Sequence, residues 1–488
     1  METVNQTTQK KQRPVKILQY GEGNFLRGFV DYMVDIANER GVFDGGVQIV
    51  KPIPYGSLEP FAGQDCVYTV ILRGKKDGEA YAEKRIITSI AGAASAYDEY
   101  EAYAAFAKIP GLRFIVSNTT EAGIVYDESD DFALKPPKSY PGKLTKLLYE
   151  RYQHFVGAED KGLMILPCEL IEKNGDALKS CCLKLAERWG LPSEFQSWFI
   201  TANIFCNTMV DRIVTGYPKE EIELLEKELG YSDKLLVTGE PFALWVIESK
   251  DPAMIAKELP LDKAGLPVIF TDDMKPYRER KVRILNGAHT SSVLAAYLCG
   301  LNTVGDMMKD KTTRRLLERV VYGELAPVVP LPADEANAFA DSVIERFENP
   351  FVQHNLLSIS LNSVSKFKAR ILPAILETQE KTGSLPALLC FSLAALMAFY
   401  SGEASAGGKL IGKRNGEPYE IMDDATVTAF FAANCDLPTG EFVQAFLERD
   451  DFWGRDLTLV PGLAQTVTAF LQSICNNGMR SAVERVLS

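Results

Sequence analysis

At 488 residues, with 53 lysines and arginines against 65 aspartates and glutamates for a net charge of −12, the chain is too long for one ordinary core and too acidic for a sequence-independent nucleic-acid binder. No apolar run reaches the roughly 18 residues of a membrane span, which excludes a spanning helix. Nine cysteines, with no CxxC pair and no zinc-like spacing to any of the three histidines, read as reduced thiols of a cytoplasmic protein rather than as a disulfide or metal framework.

Residues 1–12 form a polar tail that lacks the apolar core of a signal peptide. Val15 to Tyr20 is a short apolar run that stops at glycine. Leu26, Phe29, Val30, Met33 and Ala37 then recur at three- and four-residue steps before Gly41, so the segment reads as strand, glycine turn and helix. "GGVQIVKPI" (45–53) supplies the next strand and completes a βαβ unit. Strands over 66–74 and 83–90 meet across Asp77-Gly78, a hairpin signal. A helix over 97–109, a strand over 112–118, a helix over 142–155 and a strand over 162–170 continue the alternation. The pattern predicts a doubly wound, mostly parallel sheet of Rossmann type over 13–230, an α/β domain with helices on both faces. From 231 to 488 the apolar residues fall mainly at helical spacing, which predicts an all-α domain, with 401–420 as a glycine-rich loop.

Four stretches carry chemistry. In "QYGEGNFLRG", a glycine turn between strand and helix lets backbone N–H groups approach a dinucleotide pyrophosphate. Gly21 and Gly23 fit that pattern, with Asn24 and Phe25 in the turn and Arg27 placed to neutralise phosphate. The third glycine is missing, Leu26 standing in its place, and a plain tight turn with a solvated Arg27 remains open. The second strand ends "VKPIP", with no acid for a ribose 2′-hydroxyl, so Lys51 either meets a 2′-phosphate or is simply exposed. In "VSNTTEAGI", Asn118, Thr119 and Thr120 follow a strand where doubly wound folds hold ligand, although a helix cap is an equally ordinary use for them.

The most informative stretch is "RERKVRILNGAHT" (278–290). Reducing a carbonyl with hydride needs a proton donor for the forming alkoxide and hydrogen-bond donors around its oxygen. Lys281 can be the first and Asn286 the second, and His289 shares a helix face with Asn286. Arg278, Arg280 and Arg283 would lower the lysine's proton affinity and draw in an anionic substrate. The bland alternative is a basic helix entrance with an incidental histidine. By residue type alone, Asn207 in "NIFCNTMVDRI" reads as a satisfied turn residue.

Together these motifs resemble the long-chain polyol dehydrogenase, or mannitol dehydrogenase, family. The resemblance covers nearly the whole chain: "GEGNFLR", the QDxxYT element at Gln64 to Thr69, "NTMVDRI" from Asn207, "EPFALWVIE" at Glu240 to Glu248, and K-x-R-x-L-N-x-x-H at Lys281 to His289. It implies an NAD-dependent oxidoreductase that uses no metal, with Lys281 as general acid/base. Asn286, His289 and Asn207 would be its catalytic partners, and Asn207 and Arg212 substrate contacts. "LQYGEGNFLRGFVDYMVD", "VSNTTEAGI", "YPGKLTKLLY" and "LNGAHT" resemble the branch acting on hexuronates rather than the mannitol branch. The implied reaction is reversible reduction of D-tagaturonate to D-altronate by NADH in galacturonate breakdown, at a site between the two domains. A fructuronate or mannitol-type reductase and a non-catalytic nucleotide-binding sensor are the alternatives. Two departures stand out. The family's glutamate three residues before the lysine is Arg278, and Ser358 stands where a substrate-contacting arginine is expected. His354, Lys366 and Arg370 are therefore expected to hold a substrate carboxylate. The expected partner is a small hexuronate, with no nucleic acid and no membrane, and the expected assembly is a monomer or small homo-oligomer.

Overall fold

Val15–Tyr20 is apolar on both faces, and it becomes β1, a central strand of the main sheet. Ile17 points into one apolar cluster with the Val30–Glu39 helix, while Leu18 and Tyr20 point into a second cluster with the Tyr140–His154 and Asn174–Arg188 helices. A strand buried on both faces is what a parallel, doubly wound sheet requires. The computed structural model in which this is seen describes residues 1–120, 122–405 and 409–488.

In chain order the strands are β2 (Gly46–Lys51), β3 (Tyr68–Lys76), β4 (Glu79–Ile87), β5 (Ile90–Ser95), β6 (Phe114–Ser117), β7 (Met164–Pro167) and β8 (Ile204–Phe205). Next come β9 (Asn207–Asp211), β10 (Val214–Gly216), β11 (Val237–Gly239), β12 (Leu244–Glu248) and β13 (Val268–Thr271). The main sheet has the order β5-β2-β1-β6-β7-β8 and is parallel throughout. The chain leaves β1 toward β2 on one side and returns to β6 on the other, so the ends of β1 and β6 form the switch point where such sheets bind ligands. The Asp77-Gly78 hairpin forms as expected: both residues have positive φ, 54° and 80°, the geometry of a two-residue turn that matches strand twist. It belongs, however, to a separate sheet, β10-β11-β3-β4, and a third sheet runs β13-β12-β9.

Those two sheets move the domain division. The chain separates into Met1–Met274 and Lys275–Ser488, not at 230/231, because β11 pairs with β3 and β12 with β9 and β13, which ties residues 237–271 to the first unit. The polar tail is also docked: Thr3 bridges Ser232, and Val4 is buried against Val67 and Tyr231. The helix expected after the glycine turn is broken into Asn24–Arg27 and Val30–Glu39. A side chain at Gly28, between them, would press on Val214 and Val237 at 3.2 Å.

The second unit is helical. Ala387–Tyr400 is buried almost all round and packs against Gly287–Leu298 and Leu463–Asn477, as a central helix should. Of the expected loop, residues 406–408 lie outside the described residues and the rest is largely strand. Gly402–Ala404, Leu410–Arg414 and Glu417–Ile421 form a small antiparallel sheet (β14 to β16) that turns at Asn415-Gly416, where both φ are positive. The apolar alternation of Leu410, Gly412, Tyr419 and Ile421 is too short to stand out from the surrounding glycines.

Candidate active site

In the first unit, a cavity of about 740 Å³ opens at the switch point. It is lined by Gly21, Glu22 and Gly23 after β1, Pro52 and Ile53 after β2, and Asn118, Thr119 and Thr120 after β6. Gly21 has φ +123°, and its N–H donates to Val50 O at 3.0 Å, so the chain turns sharply out of the sheet there. A side chain at Gly23 would meet nothing within 4 Å, which leaves that backbone open to a ligand. Size, glycine turn and position all fit a dinucleotide.

The structure gives the rest of this motif another task. The side chains of Asn24, Phe25 and Arg27 are not part of the cavity wall. Arg27 is buried, with its guanidinium donating to Glu22 O, Leu235 O and Asn24 Oδ1 and its flat face near Phe61 and Tyr68. Phe25 stacks on Phe29 at 5.1 Å. The expected phosphate contact of Arg27 is thus replaced by a clamp between the turn and the second sheet. Arg212 is held in a similar way: its buried guanidinium gives three of its five N–H bonds to the carbonyls of Gly28, Pro241 and Phe242. Lys51 is buried and binds Gly56 O and Asp98, so it is not the exposed strand-end lysine of the sequence reading.

Asn118 and Thr119 are anchored rather than loose. The Asn118 amide donates to Cys168 O at 2.9 Å, and both the N–H and the hydroxyl of Thr119 donate to Glu169 Oε1 at 2.9 Å. Burial raises the Glu169 carboxyl above its ordinary range, and these donors partly offset the rise. Thr120 has φ 69°. Asn207, at the start of β9, is held from three sides: its amide donates to Asp176 Oδ2 at 3.2 Å and Glu248 Oε2 at 3.3 Å, and its oxygen accepts from Asp176 N.

In the second unit, Lys281–Asn286 is a π-helical turn set between the α-helices Lys275–Arg280 and Gly287–Leu298. Five residues along an α-helix are separated by roughly 140° around its axis. The wider i→i+5 turn brings Lys281 and Asn286 onto neighbouring positions of one face, and His289, three residues further on, continues it. Such insertions recur at functional sites. Among the described residues the Asn286 side-chain amide has no hydrogen-bond partner, in contrast to Asn207. The tuning expected from three arginines is reduced, because Arg283 is paired with Glu377 at 2.6 Å and Glu279 at 3.5 Å. Arg280 is buried against Phe339.

His289 stacks on Phe347 at 4.3 Å, meets His354 edge-on at 5.4 Å, and leaves a buried Nε2 without a partner among the described residues. Burial, reinforced by His354, Arg346, Arg370 and Lys366, pushes its pKa down to about 3, so the ring is neutral at physiological pH. Lys366 and Arg370 are four apart on the Ser363–Arg370 helix, which packs against the π-turn and Gly287–Leu298. Arg370 reaches Thr290 Oγ1 at 3.3 Å, beside His289, while Lys366 donates to Ile359 O at 2.9 Å. The unit therefore gathers His354, Lys366 and Arg370 around His289, and adds Arg346, which the sequence reading passed over.

The mannitol dehydrogenase Rossmann domain matches residues 15–263 and the mannitol dehydrogenase C-terminal domain residues 273–475. The chain belongs to the mannitol dehydrogenase family. It is 48% identical over 477 residues to an altronate oxidoreductase of Cronobacter sakazakii, covering 96% of each chain. It is also 48% identical over 480 residues to that of Klebsiella pneumoniae, covering 97% of each. Among solved structures of the fold, a D-sorbitol dehydrogenase in substrate-free form is similar with a TM-score of 0.76 at 21% identity, covering 99% of this chain and 100% of that one. Pseudomonas fluorescens mannitol 2-dehydrogenase, in a ternary complex with NAD and D-mannitol, is similar with a TM-score of 0.66 at 23% identity, covering 97% and 94%. As a member of this family the chain is an NAD-dependent oxidoreductase acting on a CH–OH group. Among the described residues no helix is long and apolar enough to cross a membrane, and no cluster of three His, Cys, Asp or Glu is placed to hold a metal ion.

Proposed function

We propose that the protein reduces the keto carbon of D-tagaturonate to give D-altronate, and runs the reverse reaction with NAD. The observation that carries the choice of an acid sugar is the gathering of Lys366, Arg370 and Arg346, beside a His354 whose pKa burial lowers, around a neutral His289. A carboxylate needs fixed positive donors, and a neutral polyol does not. The identity to altronate oxidoreductases along nearly the whole chain supports the same reading.

Gly21 and Gly23 of the glycine turn and the loop of Asn118, Thr119 and Thr120 would hold NADH, which would supply the hydride. Lys281 gives its proton to the carbonyl oxygen as charge builds there, and takes it back in the oxidative direction. The Asn286 amide donates to that oxygen, and Asn207 is the second donor, exchanging one of its long bonds to Asp176 and Glu248. His289 is uncharged, so its ring orients a substrate hydroxyl through Nε2 without competing for the carboxylate. His354, Lys366 and Arg370 hold the carboxylate.

The test is NADH consumption by the purified protein with D-tagaturonate, D-fructuronate and D-fructose side by side, and NADPH in parallel. A preference for tagaturonate of tenfold or more in kcat/KM is expected. Preference for fructuronate or fructose would overturn the substrate, and no turnover on any of them would leave a nucleotide-binding sensor.

A further inference from the structure

The cavity at the switch point has a second wall that the glycine motif does not predict. It comes from the start of the Tyr140–His154 helix: Lys138, Ser139, Tyr140 and Lys143. Two side chains in it are buried yet incompletely bonded. Tyr140 is 5% exposed, and its hydroxyl has no hydrogen-bond partner among the described residues; the nearby Ser117 hydroxyl gives its proton to Glu169. Lys143 is 1% exposed, and of its three N–H bonds one goes to Lys138 O at 2.7 Å and one to Tyr97 Oη at 3.3 Å. Burial lowers its pKa to about 8. A buried lysine and a buried orphan hydroxyl are costly to keep side by side unless something completes them.

Their position says what that is. Tyr97 follows β5, which lies beyond β2 from β1, so Lys143 sits on the β2 side of the cavity. In doubly wound dinucleotide sites the end of β2 is where an acid meets the adenosine ribose. Here that strand end offers Pro52 and Ile53, and Lys51 is turned away to Gly56 and Asp98.

We propose that Lys143 and Tyr140 together form the adenosine-ribose binding group of the cofactor site, with the ammonium donating to a ribose oxygen and the phenol completing the pair, in place of a strand-end acid. This rests on the reading of the cavity as the cofactor site. Asp130 holds the loop in place for it, accepting from the N–H groups of Lys138 and Ser139 and from the Ser139 hydroxyl.

The test is titration of the full-length protein with NADH, followed by fluorescence, and with AMP and reduced nicotinamide mononucleotide as half-cofactor competitors. Lys143→Met should weaken NADH and AMP by the same factor, tenfold or more, and leave the mononucleotide unchanged. Tyr140→Phe, which keeps the ring and its packing, should weaken NADH and AMP about threefold. Gly23→Val has room for its side chain and ordinary φ, but fills the cavity; it should abolish binding of NADH whichever residues meet the ribose. Wild-type NADH and AMP affinity in both Lys143→Met and Tyr140→Phe, with binding lost in Gly23→Val, would overturn the assignment and leave the cavity standing. Equal weakening of AMP and the mononucleotide would overturn it too. Unchanged binding in all three variants would remove the cavity reading itself.

Discussion

The turn at 21–28 and the turn at 281–289 are both marked by motifs, but the fold uses them in opposite ways. In the first, the backbone faces the ligand cavity while Asn24, Phe25 and Arg27 turn inward to hold the strands behind it. In the second, the backbone is an uninterrupted helix and the side chains of Lys281, Asn286 and His289 are brought round to one face by a π-turn. A residue pattern thus identifies a place that matters without saying whether main chain or side chain does the chemistry there. A polar side chain beside a cavity can be a brace or a contact, and the groups it bonds to separate the two.

The largest effect expected from that contrast is at Lys281. Lys281→Ala should lower turnover by about 10²–10⁴ while NADH affinity, measured separately by fluorescence, stays within about twofold; retained turnover would take the proton-donor role away from it. Asn286→Ala should cost about 10²–10³ in kcat, the size associated with one oxyanion donor. Asn207→Ala should cost less, because its amide must first leave Asp176 or Glu248, and a larger loss than that of Asn286→Ala in steady-state kinetics would reverse the order. Lys366→Ala should raise KM for tagaturonate about tenfold and leave the residual rate with fructose unchanged; an equal loss on both sugars would point to folding rather than carboxylate binding.

Arg27→Lys sharpens the first half of the comparison. It should reduce stability by about 2–3 kcal/mol in denaturant unfolding, as expected for lost bonds of a buried charged group, and leave NADH affinity within about twofold. Wild-type stability with affinity lost would restore the phosphate role. The smallest effect is a slope. Asp31, behind the same turn, is buried with Gln19 and Tyr68, and burial raises its pKa to about 7. The folded chain therefore keeps a proton that the unfolded chain has lost between about pH 4 and 7, so this contribution is complete below pH 4 and is lost as pH rises through 7. Asp31→Asn should gain stability relative to the wild type across that window, by at most about 1.4 kcal/mol per pH unit. Parallel curves for the two proteins would show that Asp31 is ionised throughout.

The sheet strands and the Lys281 motif were legible because each is local: apolar runs between glycines, and three polar residues at helical steps. What was not legible depends on partners far along the chain. Arg27 reads as a phosphate ligand until Leu235 O is found against it, and Arg212 as a substrate contact until Gly28 and Phe242 close on it. The π-turn has no compositional mark, since "KVRILN" is as good an α-helix as any, and its i→i+5 pairing exists only in three dimensions. Tyr140 and Lys143 fall within a helix whose sequence gives no sign that the lysine is buried; the missing acid after β2 was the signal that something else had to serve there.

The place of β1 also sets a timetable for making the protein. Translation delivers β1 before its neighbours, yet it pairs with β6, about a hundred residues later, and Thr3 waits for Ser232. Until then a strand apolar on both faces has no complete seat, and closing loops of that length delays its pairing. The nascent chain passes the synthesis of those residues between β1 and β6 with its future centre exposed, and that interval is when it is open to chaperone capture or aggregation.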